Sequence, residues 1–328
     1  MSTFIIAEAG STHCGRMDYA LELIEKAKEA GCDAVKFQIF NDKLYAKNTP
    51  DFGGYKNINE LMASLVLPRE WLPVLKERCS NINIEFMATP FDEEAIKLLV
   101  DLGVKRLKIA AFESSDLRFL RMCGKTQLPL IISLGAEALD PLDIYDFIHE
   151  VNDKPDITFL HCVSKYPTPP EEASLGEILA MAGDEIFSQM WGVGYSDHTT
   201  DVFTPSLAVA LGATVIEKHF TLSRELDNPD APHSLEPHQL KMMVNLIRET
   251  EKKLDHKMYE TRLSEQWQCS RSVFATQDLK DGDQVTFDNI TTARPFFKDN
   301  IHASQYYNVI GKRVVGDVKA GEALKDVR

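Results

Sequence analysis

The sequence predicts an α/β fold, a (β/α)8 TIM barrel followed by a small β-rich domain. Short apolar, β-branched runs alternate with amphipathic segments over most of the 328-residue chain. Such alternation is typical of parallel βαβ units, and eight units in roughly 250 residues favour a barrel over an open doubly wound sheet. The predicted strands are Phe4–Glu8, Ala34–Phe40, Ile84–Thr89, Arg106–Ala110, Leu130–Leu134, Thr158–Cys162, Trp191–Tyr195 and Thr214–His219.

The segments between these strands carry helical periodicity. The clearest patterns lie at Met17–Ala30, Arg69–Cys79, Asp92–Leu102 and Glu236–Leu254. In the first of them, apolar side chains recur at three- and four-residue spacing and form one face, as in a helix packed on a sheet. Residues 41–57 form a long loop after the second strand, and loops of this length are usually functional or disordered.

The pattern changes near the carboxyl end of the chain. Residues 255–270 are polar and have no strong period, and the stretches SVFATQDLKDGDQVTFDNITTARP and VIGKRVVGDVKAGEAL combine short strand-like pieces with tight turns such as Asp281-Gly282. This pattern indicates a small β-rich module and not a ninth βα unit. We therefore predict a barrel domain at 1–262, a linker at 263–270 and a β-rich domain at 271–328.

Charge and composition exclude several classes of protein. The chain has 36 Lys+Arg and 50 Asp+Glu, a formal net charge of −14, and 44% apolar residues, which excludes a disordered chain or a fibre. An acidic surface argues against nucleic acid or an anionic membrane as partner, although a pocket can be locally positive. No apolar stretch approaches membrane-spanning length, and the amino terminus lacks the pattern of a signal peptide. The six scattered cysteines predict reduced thiols in the cytoplasm.

Every predicted strand carries a polar or ionisable residue at or just after its carboxyl end, where a barrel builds its active site. Residues two apart share one face of a strand, so Lys36 with Gln38, and Glu217 with His219, can point together into the barrel mouth. We predict that these side chains form the active site. In chain order the set is Glu8, Lys36, Gln38, Thr89, Lys108, Glu113, Ser133, Ser164, Tyr166, Ser196, His198, Glu217 and His219.

Two histidines belong to adjacent predicted strands. His198 follows the seventh strand and His219 ends the eighth. Two neutral imidazoles with a carboxylate such as Glu217 suit a divalent first-row metal ion. The alternative is a pair of hydrogen-bonding histidines at the barrel rim. His161 fits a core histidine as well as a ligand.

Lys36 and Lys108 are predicted to lie inside the barrel mouth. A buried lysine is either paired or has a lowered pKa. Together the two cations would suit a substrate that carries phosphate and carboxylate. One of them could instead be a Schiff-base nucleophile, as in barrel aldolases. A third interpretation is salt bridging to Glu8, Glu113 or Glu217.

These residues lie in a series of motifs: IIAEAGSTHCG, DAVKFQ, FMATPFD, LKIAAFE, HCVSKYPTP, GYSDHT, ALGATVIEKHFT and NPDAPHSLEP. In this order the motifs resemble the sialic acid synthase family, which includes N-acetylneuraminate, legionaminate and pseudaminate synthases and spore-coat polysaccharide homologues. The tail resembles the family's C-terminal antifreeze-like (SAF, β-clip) domain. The resemblance therefore spans nearly the full chain.

The resemblance implies a metal-dependent condensation of phosphoenolpyruvate with an N-acylmannosamine-type aldose. The products would be a nine-carbon 2-keto-3-deoxy sugar acid and phosphate. His198 and His219 would bind Mn²⁺, with Mg²⁺ or Co²⁺ as alternatives, and the ion would polarise the aldehyde oxygen. Glu217 would position the water that attacks C2 of the phosphoenolpyruvate-derived cation.

The same resemblance implies two groups of substrate contacts. The phosphate and carboxylate would be held by Lys36, Thr89, Lys108, Ser133, Ser164 and Ser196. The open-chain sugar would be held by Glu8, Gln38, Glu113, Tyr166 and Asp230, of which Glu8, Glu113 and Asp230 would share catalysis with Glu217 and the two lysines. Arg294 matches the arginine that reaches the sugar's acyl group in a domain-swapped homodimer. Each tail would then cap the partner's barrel and exclude water.

Several positions depart from the family pattern, two of them in the following way. Ala111 stands where the family commonly has a serine that contacts the phosphate of phosphoenolpyruvate, and Phe296 stands where a glycine is usual. These changes keep open an altered sugar substrate or a sugar-binding role in coat-polysaccharide assembly. A synthase of seven- or eight-carbon keto-deoxy sugar acids is a further alternative, against which the tail argues, and a pyruvate aldolase is another.

Borohydride reduction in the presence of pyruvate separates the aldolase from the synthase. We expect no covalent labelling, because a synthase uses Lys36 and Lys108 as cations and not as nucleophiles. Mass spectrometry of the reduced protein measures the adduct. A stable pyruvate adduct on either lysine would contradict the synthase interpretation.

Overall fold

The computed structural model describes residues 2–42, 44–46, 49, 57–135, 138–255 and 269–328. The contacts divide the chain into two compact units, Met1–Leu254 and Asp255–Arg328. Most of the predicted linker, 263–268, lies outside the described residues, and so do residues 43, 47–48 and 50–56 of the predicted loop.

Within the described residues of the first unit, eight parallel strands form one sheet. They are β1 (Phe4–Gly10), β2 (Ala34–Ile39), β3 (Glu85–Pro90), β4 (Leu107–Ile109), β5 (Leu130–Leu134), β6 (Ile157–Cys162), β7 (Gly192–Asp197) and β8 (Val215–His219). The hydrogen-bonded order is β3-β2-β1-β8-β7-β6-β5-β4, and β3 and β4 at its two ends contact each other. The sheet thus curves into a barrel, which confirms the predicted fold. Strand β7 ends two residues later than predicted, so Ser196 lies within it.

Helices follow the strands. They are α1 (Met17–Ala30), α2 (Ile58–Leu65), α3 (Leu72–Asn81), α4 (Glu93–Leu102), α5 (Leu117–Gly124), α6 (Pro141–His149), α7 (Gly176–Gly183), α8 (Glu185–Met190), α9 (Thr204–Ala210) and α10 (Pro237–Leu254). Most of these helices pack apolar side chains against those of the strands in one large core, in which Leu23 of α1 and Leu240 of α10 are fully buried. None of the described helices has the length and apolar character needed to cross a membrane.

Local sequence determines where several helices begin and end. Asp92 precedes α4, and its side chain accepts a hydrogen bond from the Ala95 amide at 2.8 Å. Asp116 precedes α5 and accepts from the Phe119 amide at 3.0 Å. Each carboxylate satisfies an amide that has no partner within its helix. Gly103 ends α4 with φ of 71°, a conformation that favours glycine.

The barrel interior is layered by the two-residue period of its strands. A small apolar cluster fills one layer: Ile6, Ala34, Met87, Ile131, Leu160 and Val215. Two residues further along the same strands, the inward positions are Glu8, Lys36, Thr89, Ser133, Cys162 and Glu217. Because side chains two apart point to the same face, the apolar layer supports a polar layer at the carboxyl ends of the strands.

The second unit is β-rich, as predicted. Strand β9 (Ser272–Ala275) pairs antiparallel with β10 (Ile290–Ala293), and a short helix, α11 (Tyr306–Val309), follows. Isolated antiparallel bridges, such as Leu279 with Val318, tie further segments together. The unit has its own apolar core: Val273, Ala275, Leu279, Val285, Ile290, Ile301, Val309, Val314, Val318 and Leu324.

Candidate active site

A polar pocket with about 390 Å³ of empty space lies at the carboxyl ends of the barrel strands. We call it the inner pocket. Most of the residues predicted as one site line it together: Glu8, Lys36, Gln38, Thr89, Lys108, Ser133, Tyr166, Ser196, His198, Glu217 and His219. Strand pairing explains the gathering, because Glu8 is in register with Lys36 on one side and with His219 on the other.

Four buried charged side chains form the base of the inner pocket. Lys36 Nζ lies 2.9 Å from Glu8 Oε2 and 3.4 Å from Glu217 Oε2. Lys108 Nζ lies 3.6 Å from Glu217 Oε1 and donates to the Ile109 carbonyl at 3.1 Å. Each of the four is at most 5% exposed. The lysines are therefore balanced by carboxylates, and an anionic ligand must compete with Glu8 and Glu217 for them.

The pocket moves the pKa values of its two carboxyl groups in opposite directions. Burial raises the pKa of Glu8, although Lys36 opposes the shift. Burial also acts to raise the pKa of Glu217, but Lys108 and Lys36 outweigh it and lower that pKa. Glu8 is therefore the carboxyl that more readily holds a proton, while Glu217 stays ionised. Burial lowers the pKa of Lys108.

Hydroxyl groups surround the four charges. Thr89 Oγ1 accepts a hydrogen bond from Lys36 at 2.8 Å, and Ser196 Oγ donates to Glu217 Oε1 at 3.2 Å. Ser133 Oγ is buried and has no hydrogen-bond partner among the described residues. Because a buried hydroxyl is usually paired, this arrangement is typical of a group whose partner is a ligand.

Three rings meet at the rim of the inner pocket. The ring centre of Tyr166 lies 4.1 Å from that of His198 and 5.9 Å from that of His219. His198 Nδ1 lies 2.7 Å from the Val163 carbonyl, an acceptor, so Nδ1 carries the proton and Nε2 is free to coordinate. Burial lowers the pKa of His198 to about 4 and that of His219 to about 3, so both imidazoles are neutral near pH 7.

A third histidine, His233, approaches His219 from the loop after β8. Donor atoms of His219, Asp230 and His233 all lie within 4.8 Å of one another, and this trio is the group among the described residues that meets the spacing of a metal site. Asp230 accepts hydrogen bonds from the amide and the hydroxyl of Ser11, at 3.2 and 2.7 Å. Two imidazoles and a carboxylate are a donor set that suits first-row divalent metals.

A larger space of about 1220 Å³ adjoins the inner pocket and shares part of its wall. We call it the outer pocket. One side of it is apolar, with Phe40, Leu44, Tyr45, Met62, Phe91, Ala110 and Phe112. Its polar side includes predicted site residues: Gln38, Glu113, Tyr166, His219 and Asp230. Burial raises the pKa of Glu113, whose Oε2 has no hydrogen-bond partner among the described residues.

Two predicted residues, Ser164 and Arg294, line neither pocket, and neither does His161. His161 Nε2 is 3.0 Å from the Ala173 carbonyl, and the residue lines neither pocket, so it is a structural histidine. Ser164 Oγ lies 4.0 Å from Cys162 Sγ, which is part of the inner wall. Arg294 is an exposed residue of the second unit, directly after β10.

Sequence reasoning missed His233 and the support of Asp230 by Ser11. The motif NPDAPHSLEP contains an acid and a histidine three residues apart, and this spacing is the sequence signal that points to them. Cys162, which the sequence did not single out from the other cysteines, is 5% exposed and lines the inner pocket. Phe112, 63% exposed at the mouth of both pockets, has no sequence signal that distinguishes it from a core residue.

Buried neutral histidines make the stability of the metal-free protein depend on pH. The pKa of His13 and of His198 is lowered to about 4 and that of His219 to about 3 by burial, against 6.5 when unfolded. As pH falls from about 6.5 toward 4, the unfolded state binds protons that the folded state does not, so the free energy of unfolding falls. Urea unfolding in chelator at pH 7.5 and 5.0 measures the change.

The His198→Asn variant lacks one of these groups. Its free energy of unfolding should therefore fall less steeply than that of the wild type as the pH is lowered, and the two slopes should differ by about 1.4 kcal/mol per pH unit at the acidic end. His238→Asn, at a histidine side chain that is 69% exposed, is the control and should keep the wild-type slope. Equal slopes in all three proteins would contradict the assignment.

Comparison with known proteins identifies the family. Residues 23–259 match the model of the NeuB family, and residues 270–328 match the SAF domain. The N,N′-diacetyllegionaminic acid synthase of Legionella pneumophila is 36% identical over 342 residues, covering 99% of this chain and 94% of that protein. A pseudaminic acid synthase of Campylobacter jejuni is 34% identical, covering 98% of this chain and 95% of that protein.

Solved structures agree with these matches. The crystal structure of an N-acetylneuraminic acid (sialic acid) synthetase from Leptospira borgpetersenii, in complex with citrate, aligns with a TM-score of 0.70 and 32% identity. The alignment covers 81% of this chain and 92% of that chain. With its eight-stranded barrel and SAF-type second unit, this chain belongs to the NeuB family of nonulosonic acid synthases.

Proposed function

We propose that this chain condenses phosphoenolpyruvate with an N-acetylmannosamine-type aldose, giving a nine-carbon 2-keto-3-deoxy sugar acid and phosphate. The observation that carries the proposal is the buried layer of Lys36, Lys108, Glu8 and Glu217 at the base of the inner pocket. Relatives named as legionaminic and pseudaminic acid synthases support it.

The inner pocket suits a small substrate with two anionic groups. Phosphoenolpyruvate carries a carboxylate and a phosphate, which would replace Glu8 and Glu217 as partners of Lys36 and Lys108. The hydroxyl of Ser133, which lacks a partner among the described residues, supports this role. We assign the binding of the two anionic groups to Lys36, Thr89, Lys108, Ser133, Ser164 and Ser196.

The opposite pKa shifts of Glu8 and Glu217 suggest how they divide the work. The new bond joins C3 of phosphoenolpyruvate to the aldehyde carbon, water adds at C2, and phosphate leaves. Glu8, with its raised pKa, is suited to give a proton to the aldehyde oxygen, and ionised Glu217 is suited to orient water and accept its proton. When substrate anions engage Lys36 and Lys108, Glu217 loses positive partners and becomes a stronger base.

The donor set near the rim fits a divalent metal, which we propose to be Mn²⁺, with Mg²⁺ or Co²⁺ as alternatives. His219 Nδ1 is buried and without a hydrogen-bond partner among the described residues, and His198 Nε2 is free because Nδ1 holds the proton. When bound, such an ion supplies Lewis acidity toward a carbonyl oxygen. His198 and His219 are the ligands that the family resemblance implies.

The outer pocket has room for the open-chain sugar. Gln38, Glu113, Tyr166 and Asp230 offer hydrogen-bonding groups for its hydroxyls, and the apolar side offers contacts for acyl groups. We assign Glu8, which lines the adjoining inner pocket, to the same substrate. In this proposal Arg294 binds the acyl group of the sugar within a domain-swapped homodimer, as the family resemblance implies.

Phosphate release tests the proposed reaction. Incubation of phosphoenolpyruvate with N-acetylmannosamine, its 6-phosphate or 2,4-diacetamido-6-deoxy sugars should release phosphate with at least one sugar, and a chelator should stop the release.

Glu217→Gln should lower kcat by at least about 100-fold, because it removes the base but keeps the shape. Glu225→Gln, at an exposed position, is the control and should behave as the wild type. No release with any sugar would favour a sugar-binding protein.

Substitution of Arg294 tests its role in sugar binding. Arg294→Ala should raise the KM for the sugar at least tenfold and leave the KM for phosphoenolpyruvate within about twofold, because a contact with one substrate affects that substrate's binding. Arg271→Ala removes another exposed arginine of the second unit and should change neither constant. Equal increases in both KM values would argue against the acyl-group contact.

A further inference from the structure

The loop between β8 and α10 brings a second imidazole to His219. Beyond β8 the chain doubles back, so that Phe220 and Leu235 form a parallel bridge, and the 3-10 helix Ala231–His233 lies within the loop. His233 ends this turn and is 7% exposed. Its ring centre lies 5.1 Å from that of His219. The fold therefore directs this histidine inward, toward the site.

Each of these two rings has a buried nitrogen without a protein partner among the described residues. His233 Nε2 and His219 Nδ1 are both buried, and neither hydrogen-bonds to any described residue. Leaving a buried polar atom unpaired costs about 1–3 kcal/mol, so native structures rarely keep two of them in neighbouring side chains. A bound cation would satisfy both nitrogens at once.

The carboxylate of Asp230 is held in place beside these nitrogens. The amide and hydroxyl of Ser11 both donate to Asp230 Oδ2, and Asn228 donates to the Ser11 carbonyl at 2.8 Å. Gly10 has φ of 51°, and a Cβ there would lie 2.9 Å from Asp230 Oδ2. The backbone thus leaves room for the carboxylate, and hydrogen bonds behind it fix its orientation, as they do for many metal ligands.

We propose that His233 and Asp230 join His219 as protein ligands of the divalent cation in this site. The donor atoms of the three residues lie within 4.8 Å of one another, and a set of two histidines and one carboxylate leaves coordination positions open for substrate. The inference rests on the proposed function and deepens it, because it adds Asp230 and His233 to the expected ligands, His198 and His219.

Mn²⁺ binding to the full-length chain tests the inference without any substrate. Electron paramagnetic resonance measures free Mn²⁺ during a titration and yields the Kd. The variants His233→Asn and His233→Asp are compared because asparagine and aspartate have nearly the same shape. Only aspartate offers an anionic oxygen ligand. We expect His233→Asn to raise the Kd at least tenfold and His233→Asp to stay within about threefold of the wild type. His238→Asn, the exposed control, should leave the Kd unchanged.

The outcomes separate this inference from the proposed reaction. Wild-type Mn²⁺ affinity in His233→Asn, with the loss appearing in His198→Asn, would overturn the assignment of His233 and leave the synthase proposal intact. Equal weakening by asparagine and aspartate would also overturn it, because that result indicates a packing role. A wild-type protein that binds Mn²⁺ but releases no phosphate with any sugar would refute the reaction and not the ligand set.

Discussion

The site depends on keeping four charged side chains buried at the base of a barrel. Lys36, Lys108, Glu8 and Glu217 have almost no access to water, and the free-energy cost of burying them is offset only while each cation faces a carboxylate. Removing one member would leave an unpaired buried charge, which typically costs about 3–5 kcal/mol. The same compensation holds the pKa of Glu217 low and poises the lysines for substrate anions.

Strand register is what makes this compensation possible. Glu8 of β1 is in register with Lys36 of β2 on one side and with His219 of β8 on the other. Ser196 of β7 is in register with Glu217 of β8. A shift of one residue in any of these strands would turn its polar side chain away from the interior. The apolar layer lies two residues earlier on the same strands. It favours this register because any shift would expose its side chains to water.

The strand-end residues could be predicted well from the sequence. Their positions follow from period-two patterning and from the rule that the carboxyl ends of all strands in a parallel barrel lie at one face. It was less able to decide what each residue contacts. The sequence left substrate binding, a Schiff base and salt bridging open for the two lysines, and the structure pairs both with Glu217. His161 fitted a core histidine as well as a ligand, and its Nε2 lies 3.0 Å from the Ala173 carbonyl, outside both pockets.

The sequence by itself determined the barrel, the β-rich second unit and the strand ends that carry the chemistry, since these follow from local periodicity and from motifs read in order. Only the tertiary structure decided the partners: which carboxylate faces which lysine, and that His233 lies against His219. The physical reason is that loops after the strands have no repeating pattern. Where the β8–α10 loop folds back depends on packing across the whole barrel, which no local signal encodes.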